Sequence, residues 1–269
     1  MKLYLGPCVL ESSELAHTIA STIVEKILPL QKLQQTPQVI FKGSFDKANR
    51  TSINSYRGPG IKAGLKLLAD IRDRYSLPLL TDFHTPEQAM EVAEVVDIVQ
   101  IPAFLCRQTD MLIEGAKACK HFGRKLKIKK GQFLAPLDTK NIVEKAHHFL
   151  PLEDIILTER GSSFGYNNLI VDMASFQIMQ SFGVQVVYDA THAVQCPGSA
   201  GAHTGGKREQ IMVLAMAAVA AGADGIFLET HPHPEKALSD ATTSWPLDKL
   251  PSLLAKLITL HQTVEQLQD

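Results

Sequence analysis

Eight short apolar runs alternate along this chain with stretches of helical periodicity. They fall at 3–6, 38–41, 77–80, 98–101, 126–128, 155–157, 184–188 and 225–228, and they are rich in branched side chains. Short runs that are apolar on both faces read as strands of a parallel sheet covered by helices. Between them, apolar residues recur at helical spacing. Leu15, Ile19, Ile23 and Ile27 follow a serine pair able to cap a helix, and Leu250, Leu254, Leu257, Leu260 and Val264 mark the last helix. That last helix is expected over 247–267, and others over 61–75, 86–96, 110–121, 139–149, 173–182 and 208–221, the one over 86–96 opening on Pro86, where a missing N–H costs nothing.

Nearly every run ends on a charged or strongly polar residue. The ends are Cys8, Lys42, Asp82, Gln100, Lys129 with Lys130, Glu159 with Arg160, Asp189 with His192, and Glu229. In a (β/α)8 barrel the C-terminal strand ends form the floor of the active site, which accounts for polar ends on apolar strands. A doubly wound open sheet is the alternative, but it places its ligand at one switch point. The 269 residues match one (β/α)8 TIM barrel, so a single α/β catalytic domain over 1–269 is expected. The chain opens almost on the first strand, which leaves few residues for an N-terminal hairpin under the barrel.

A net charge of −1 provides no global field for nucleic acid or a membrane surface, so an anionic ligand must be met by local clusters. No apolar stretch approaches the ~20 residues that span a bilayer, and MKLYLGPCVLES lacks the pattern of a signal peptide. Cys8, Cys106, Cys119 and Cys196 form no CxxC pair and are expected to be reduced. These features describe a cytoplasmic enzyme of small molecules without nucleic-acid or membrane partners.

Two connections are long. The first, 43–60, begins within FKGSFDKANRTS and supplies Lys47 and Arg50 beside Lys42, with Ser44, Asn49, Thr51 and Ser52 as neutral hydrogen-bonding groups. Arginine offers a planar fork to phosphate and lysine a point charge. With strand five ending in KIKKG and strand six in TERG with Arg160, the cations make an anion site for more than one anionic group. The second, 190–207, is glycine-rich. Its glycine spacing before Lys207 imitates a phosphate-binding P-loop, but Arg208 stands where Ser or Thr is required. The helix after it is rich in Ala and Met, which suits deep packing or a subunit interface. Candidate metal ligands are Cys8, Asp82, His84, Asp189, His192, Glu229, His231, His233 and Asp240, with no strong spacing motif. A thiol beside many cations would have a lowered pKa.

Together, GPCVLES, FKGSFDKANRTS, LLTDFHTPEQ, VQIPAFLCRQTD, KKGQFLAP, TERGSSFGYNN, YDATHAVQ and FLETHPHPEKALSD closely resemble the 3-deoxy-D-manno-octulosonate 8-phosphate synthase family across almost the whole chain. The resemblance implies a homotetrameric (β/α)8 barrel that condenses phosphoenolpyruvate with D-arabinose 5-phosphate for lipopolysaccharide synthesis. It implies that Lys42, Ser44, Lys47, Gln100, Lys129 or Lys130, and Arg160 hold phosphoenolpyruvate. Asn49, Arg50, Thr51 and Ser52 resemble the segment that holds the sugar phosphate, and Asp82, Asp189 and Gln195 lie in matching motifs nearby. Asn49, Asp82, His192 and Asp240 are the catalytic candidates. The family has metal-dependent and metal-independent forms. Cys8, His192, Glu229 and Asp240 resemble the ligand set of the former, and the latter has Asn where Cys8 stands. A thiolate, an imidazole and two carboxylates suit Zn, Fe(II) or Mn and disfavour Mg. The sister synthase that uses erythrose 4-phosphate resembles this chain less, because its phosphate loop reads Lys-Pro-Arg-Thr-Ser. A sialic-acid-type synthase lacks support because no appended domain is present, and a non-catalytic sugar-phosphate sensor would be expected to lose the ionisable strand ends.

Overall fold

The computed structural model describes residues 1–31, 38–200 and 203–268. Eight parallel strands, β1 (Lys2–Gly6), β2 (Gln38–Lys42), β3 (Leu79–Asp82), β4 (Ile98–Ile101), β5 (Lys125–Lys129), β6 (Ile155–Glu159), β7 (Gln185–Asp189) and β8 (Gly225–His231), pair in chain order. β1 also pairs with β8, matching Leu5 to Leu228 on one side and to Phe41 of β2 on the other, so the sheet closes. This is the (β/α)8 barrel expected from the alternation of runs.

Eight helices surround it: α1 (Ser13–Thr22), α2 (Ile61–Tyr75), α3 (Gln88–Val95), α4 (Thr109–Phe122), α5 (Lys140–His147), α6 (Ser175–Gln180), α7 (Ile211–Ala220) and α8 (Leu250–Gln268). Ser12 caps α1 by accepting from Leu15 N at 3.1 Å. The helix runs on through a π turn over Ile23–Ile27, and the stripe of Ile19, Ile23 and Ile27 is fully buried. No helix among the described residues is long and apolar enough to cross a membrane.

Strand alternation places the site. Tyr4, Ile40, Leu80, Ile98, Ile156, Val187 and Phe227 form one apolar layer inside the barrel, while their sequence neighbours pack outward against the helices. Two residues further along the same strands, the inward positions are Lys42, Asp82, Gln100, Asp189 and Glu229. On β5 this position is Lys129, and the layer beneath it holds Lys127.

Several boundaries differ from the sequence reading. β3 begins at Leu79, since the prolyl residue at 78 has no N–H for the ladder. Most strands run on to include the polar end residue, because its side chain points into the barrel mouth while its backbone continues the ladder. The glycine-rich connection carries an antiparallel hairpin of Gln195–Ala200 with His203–Gly206. Its glycines at 205 and 206 are strand residues, which removes the P-loop likeness structurally, and Gly201 and Ala202 lie outside the described residues. Gly206 is needed for close approach: a Cβ there would come within 2.1 Å of Thr243 Cγ2. A second small hairpin, Ser162–Ser163 with Leu169–Ile170, follows β6 and has no periodic signal at two residues per strand. Helix α7 is packed on one face only. Ile211, Ala215, Ala218 and Val219 are buried, while Val213 and Met216 are exposed.

Candidate active site

Four potential metal donors converge at the barrel mouth. One donor atom each from Cys8, Glu229 and Asp240 lies within 4.8 Å of the others. His192 Nε2 stands 3.6 Å from Glu229 Oε2 and 3.7 Å from Asp240 Oδ2. Each residue is held from behind. Asp189, fully buried at the end of β7, accepts from His192 N at 2.9 Å, which fixes the turn after the strand. It also contacts His192 Nδ1 at 2.9 Å, so a proton on Nδ1 leaves the Nε2 lone pair facing the two carboxylates. Lys42 gives all its donors to the protein: Pro7 O at 3.2 Å, Cys8 O at 2.7 Å and Glu229 Oε1 at 2.6 Å. It thereby joins the β1 loop to β8. Asp240 adopts a left-handed φ of 49°, which Asp tolerates, and its carbonyl accepts from Ser244 N at 2.8 Å.

The donor set fits a divalent metal of the softer kind. Glu229 Oε2 is buried without a hydrogen-bond partner, and Cys8 Sγ donates to Asp240 Oδ2 at 2.9 Å. Burial, followed by the charges of Asp240 and Glu229, pushes the Cys8 thiol well above its ordinary pKa. The sequence expectation of a lowered thiol pKa is therefore reversed. The nearby cations are outweighed because the thiol faces two carboxylates in a dry site. A bound cation is what would turn that thiol into a thiolate. Of the other metal candidates, His84 pairs with Asp82 at 3.1 Å, His231 faces Glu11 at 3.7 Å, and His233 is largely exposed beside Glu235.

A cavity beside this set is lined by Lys42, Ser44, Lys47, Asn49, Asp82, His84, Gln100, Phe104, Lys129, Arg160, His192 and Glu229. Its unspent donors matter most. Arg160 Nη1 and Ser44 Oγ are buried without partners, and the nearest carboxylate to Lys47 Nζ is Asp240 at 3.8 Å. Lys129 donates to Asp189 at 2.6 Å and lies 4.0 Å from the Phe227 ring centroid. Burial disfavours the Asp82 carboxylate, but the His84 hydrogen bond with Lys42 and Lys47 holds it well below the usual carboxylate range. Its Oδ1 is left as a buried acceptor without a partner.

The two sequence-adjacent lysines separate. Lys130 points away from the cavity, contacting Ser162 Oγ at 3.0 Å, Leu134 O at 3.2 Å and Glu159 at 3.6 Å, and so ties the end of β5 to the end of β6.

A second cavity shares Lys47, Asn49, Arg160 and His192 with the first and extends outward past Arg50, Thr51, Ser55, Gln132, Gln195, Ser239 and Asp240. Gln195 bridges the two sets, accepting from Arg160 at 2.8 Å and donating to Asp240 Oδ1 at 2.7 Å. Arg50 donates to Ser239 Oγ and to Leu238 O, so the loop after β2 meets the loop after β8. Ser52 lines neither cavity; its hydroxyl accepts from Asn54 N at 3.3 Å. Ser55, Phe104, Gln132 and Ser239 line the cavities although nothing in the sequence singles them out, and His84 lines the first cavity where the sequence suggests only a metal ligand. Neutral residues on loops carry no periodic or charge signal that would have found them.

A closed parallel barrel whose strand ends and following loops line a cavity with cations and leave donors on Arg160 and Ser44 unsatisfied, beside a thiol, an imidazole and two carboxylates, is the framework of an enzyme for anionic small molecules. The chain belongs to the DAHP synthetase I family, whose model matches residues 1–266. It is 54% identical over 255 residues to a 2-dehydro-3-deoxyphosphooctonate aldolase of Nitratidesulfovibrio vulgaris (strain DP4), covering 95% of this chain and 90% of the relative. Proteins of the same name from Geobacter sp. (strain M21) and Geobacter metallireducens are 49% identical over 266 residues and 50% over 263. Those alignments cover 99% and 98% of this chain and 94% and 93% of the relatives.

Proposed function

We propose that this chain works as a single (β/α)8 catalytic domain that condenses phosphoenolpyruvate with D-arabinose 5-phosphate and water. The products are 3-deoxy-D-manno-octulosonate 8-phosphate and inorganic phosphate, in the cytoplasmic synthesis of a lipopolysaccharide sugar. The observation that carries this reading is the pairing of unspent donors on Lys47, Ser44 and Arg160 with a second, outward cavity lined by Asn49, Arg50 and Thr51. Full-length similarity to relatives named for that product supports the choice of acceptor.

Arg160 Nη1, Lys47, Lys129 and Ser44 Oγ bind the carboxylate and phosphate of phosphoenolpyruvate. Arg50 and Thr51 hold the sugar phosphate in the outer cavity, so the aldehyde end is oriented inward past Asn49. Fixing both substrates replaces a bimolecular encounter with a near-attack arrangement. A C–C bond then forms between the methylene carbon of phosphoenolpyruvate and the aldehyde carbon. Water adds at the enol carbon, and the resulting hemiketal phosphate loses phosphate by C–O cleavage. Asp82, ionised and backed by His84, offers Oδ1 as an acceptor for a proton of water or of a sugar hydroxyl. Cys8, His192, Glu229 and Asp240 would hold a Zn, Fe(II) or Mn ion, and when bound it supplies Lewis acidity at that end of the cavity.

A homotetramer is part of this reading. Phe133, Phe164 and Tyr166 are more than half exposed, apolar surface of the kind that a subunit contact covers. A solution mass of one chain would remove that part.

The test is phosphate release from phosphoenolpyruvate with arabinose 5-phosphate, before and after chelation and with metal restored. Release that needs both substrates is the expected result. Release with erythrose 4-phosphate in preference to arabinose 5-phosphate would reassign the acceptor, and no release with either would sink the reading.

A further inference from the structure

Beneath the strand-end site, one charged side chain sits against the apolar layer inside the barrel. Lys127 of β5 is fully buried, in register with Gln100 on one side and Ile156 on the other. Its Nζ donates to Gln100 Oε1 at 3.0 Å and stands 4.8 Å and 5.3 Å from the ring centroids of Phe227 and Tyr4. Among the described residues it makes no other hydrogen bond and has no carboxylate within salt-bridge distance. Burial depresses its ammonium well below the usual lysine range, and Lys129 and Lys42 add repulsion that Asp189 and Asp82 only partly offset. An apolar side chain of equal volume would suit this place better for folding.

What Lys127 does accomplish concerns Gln100. A carboxamide has one accepting end and one donating end. With Oε1 engaged by Lys127, the free end is Nε2, which has no protein acceptor among the described residues. Gln100 lines the cavity together with Lys129 and Arg160. If the amide turned over, an oxygen would face the anion in place of two N–H groups.

We infer that Lys127 is a positioning residue, which holds the Gln100 carboxamide donor end first so that Nε2 hydrogen-bonds an anionic oxygen of bound phosphoenolpyruvate. This rests on the ligand assigned above. Lys127 itself touches no substrate; it acts through Gln100, from one layer below.

The experiment is a double-mutant cycle read by direct calorimetric titration of phosphoenolpyruvate. Lys127→Met keeps length and volume but cannot donate. Its phosphoenolpyruvate Kd should rise roughly tenfold, the scale of a hydrogen bond to a charged group. Its KM for arabinose 5-phosphate should stay within about twofold and its Tm should hold or rise, as expected when a buried unpaired cation is removed. In a Gln100→Leu background, Lys127→Met should change Kd by less than about twofold, since the two act as one unit. Gln100→Glu tests the same point with Lys127 intact, because it keeps a partner for the lysine but removes the donor end; its affinity should fall as far as that of Gln100→Leu. Equal losses from Lys127→Met in both backgrounds would overturn the inference. So would wild-type affinity in Gln100→Glu, or a lowered Tm with both substrates weakened alike. If the unaltered protein binds phosphoenolpyruvate but does not react it with arabinose 5-phosphate, the acceptor assignment falls and the cycle still decides on Lys127. If it binds no phosphoenolpyruvate, both fall.

Discussion

Lys129 and Lys130 are adjacent in sequence, and strand alternation gives them opposite work. Lys129 faces the cavity with Asp189 and the Phe227 ring, while Lys130 is spent on Ser162, the Leu134 carbonyl and Glu159. Removing each should therefore fail differently. Lys129→Met should lower kcat/KM for phosphoenolpyruvate by about a hundredfold or more, because a charge-assisted contact is lost and His192 loses a neighbour. Lys130→Met leaves Glu159 buried without its cation, a change that costs about 3–5 kcal/mol. For a chain of this size that is a fall in Tm on the order of 10 °C, with the smaller effect on turnover. Thermal melts and steady-state kinetics on the pair decide it, and the reverse pattern would exchange the two roles. The sequence named both lysines because charge at a strand end is visible in a string of letters. Which one points inward depends on the last ladder residue, Lys129, and that boundary moves by a residue or two between equally good readings. Lys127 was hidden for the same reason. One letter in an apolar run has no face until the register of β5 against β4 is known.

At the scale of elements, the barrel was legible because eight runs and their intervening stripes all agreed with one architecture. The small hairpins were not, since two-residue strands carry no period and glycines in 195–206 read as loop. Helix α2 shows why local preference is a poor guide near the site. Gly64 closes the first turn of the helix, its N–H bonded to Gly60 O at 2.9 Å, and alanine inside a helix is favoured over glycine by about 1 kcal/mol on propensity alone. A Cβ at Gly64 would come within 2.3 Å of Phe45 Cβ and 3.1 Å of Phe45 Cα, both close to the backbone and unable to swing aside. Phe45 is 1% exposed and belongs to the loop that carries Lys47 and Arg50. Overpacking of this kind costs about 1–3 kcal/mol, so it outweighs propensity. Gly64→Ala should lower stability by on the order of 1–2 kcal/mol net and raise the KM for the sugar phosphate, as α2 is pushed from the loop. Denaturant unfolding with the same m-value as the parent checks the first part. A stabilised variant would mean that the loop and helix move apart freely, and that Gly64 does not set the position of Lys47.

The molecule as a whole gathers buried charge at one end, and the donor set there already faces Lys42, Lys47 and His192, so the proposed metal must compete with the two lysines for its ligands. Cys8, Glu229 and Asp240 crowd one another, Glu229 Oε2 lacks a partner, and the thiol is kept protonated by burial and by the two carboxylates. Metal binding must then displace the thiol proton. Affinity should accordingly rise about tenfold per pH unit for as long as the thiol in the free protein remains protonated, since one proton leaves per ion bound. The sign follows from the raised pKa: a thiol already ionised would give no such slope. Because the proposed ligands come from β1, β7, β8 and the loop beyond, which only folding brings together, an ion bound there would also stabilise the native barrel by linkage. At a thousandfold excess over Kd this is about 4 kcal/mol, on the order of 10 °C in Tm for a chain of this length. Melts with Zn, Mn and chelator, repeated across pH, read both effects without reference to turnover. Cys8→Asn should fold, lose most of the metal-dependent shift, and lose the pH slope of whatever binding remains. If that variant keeps the full shift with the slope intact, the thiol is no ligand, and Glu229, Asp240 and His192 must hold the ion without it.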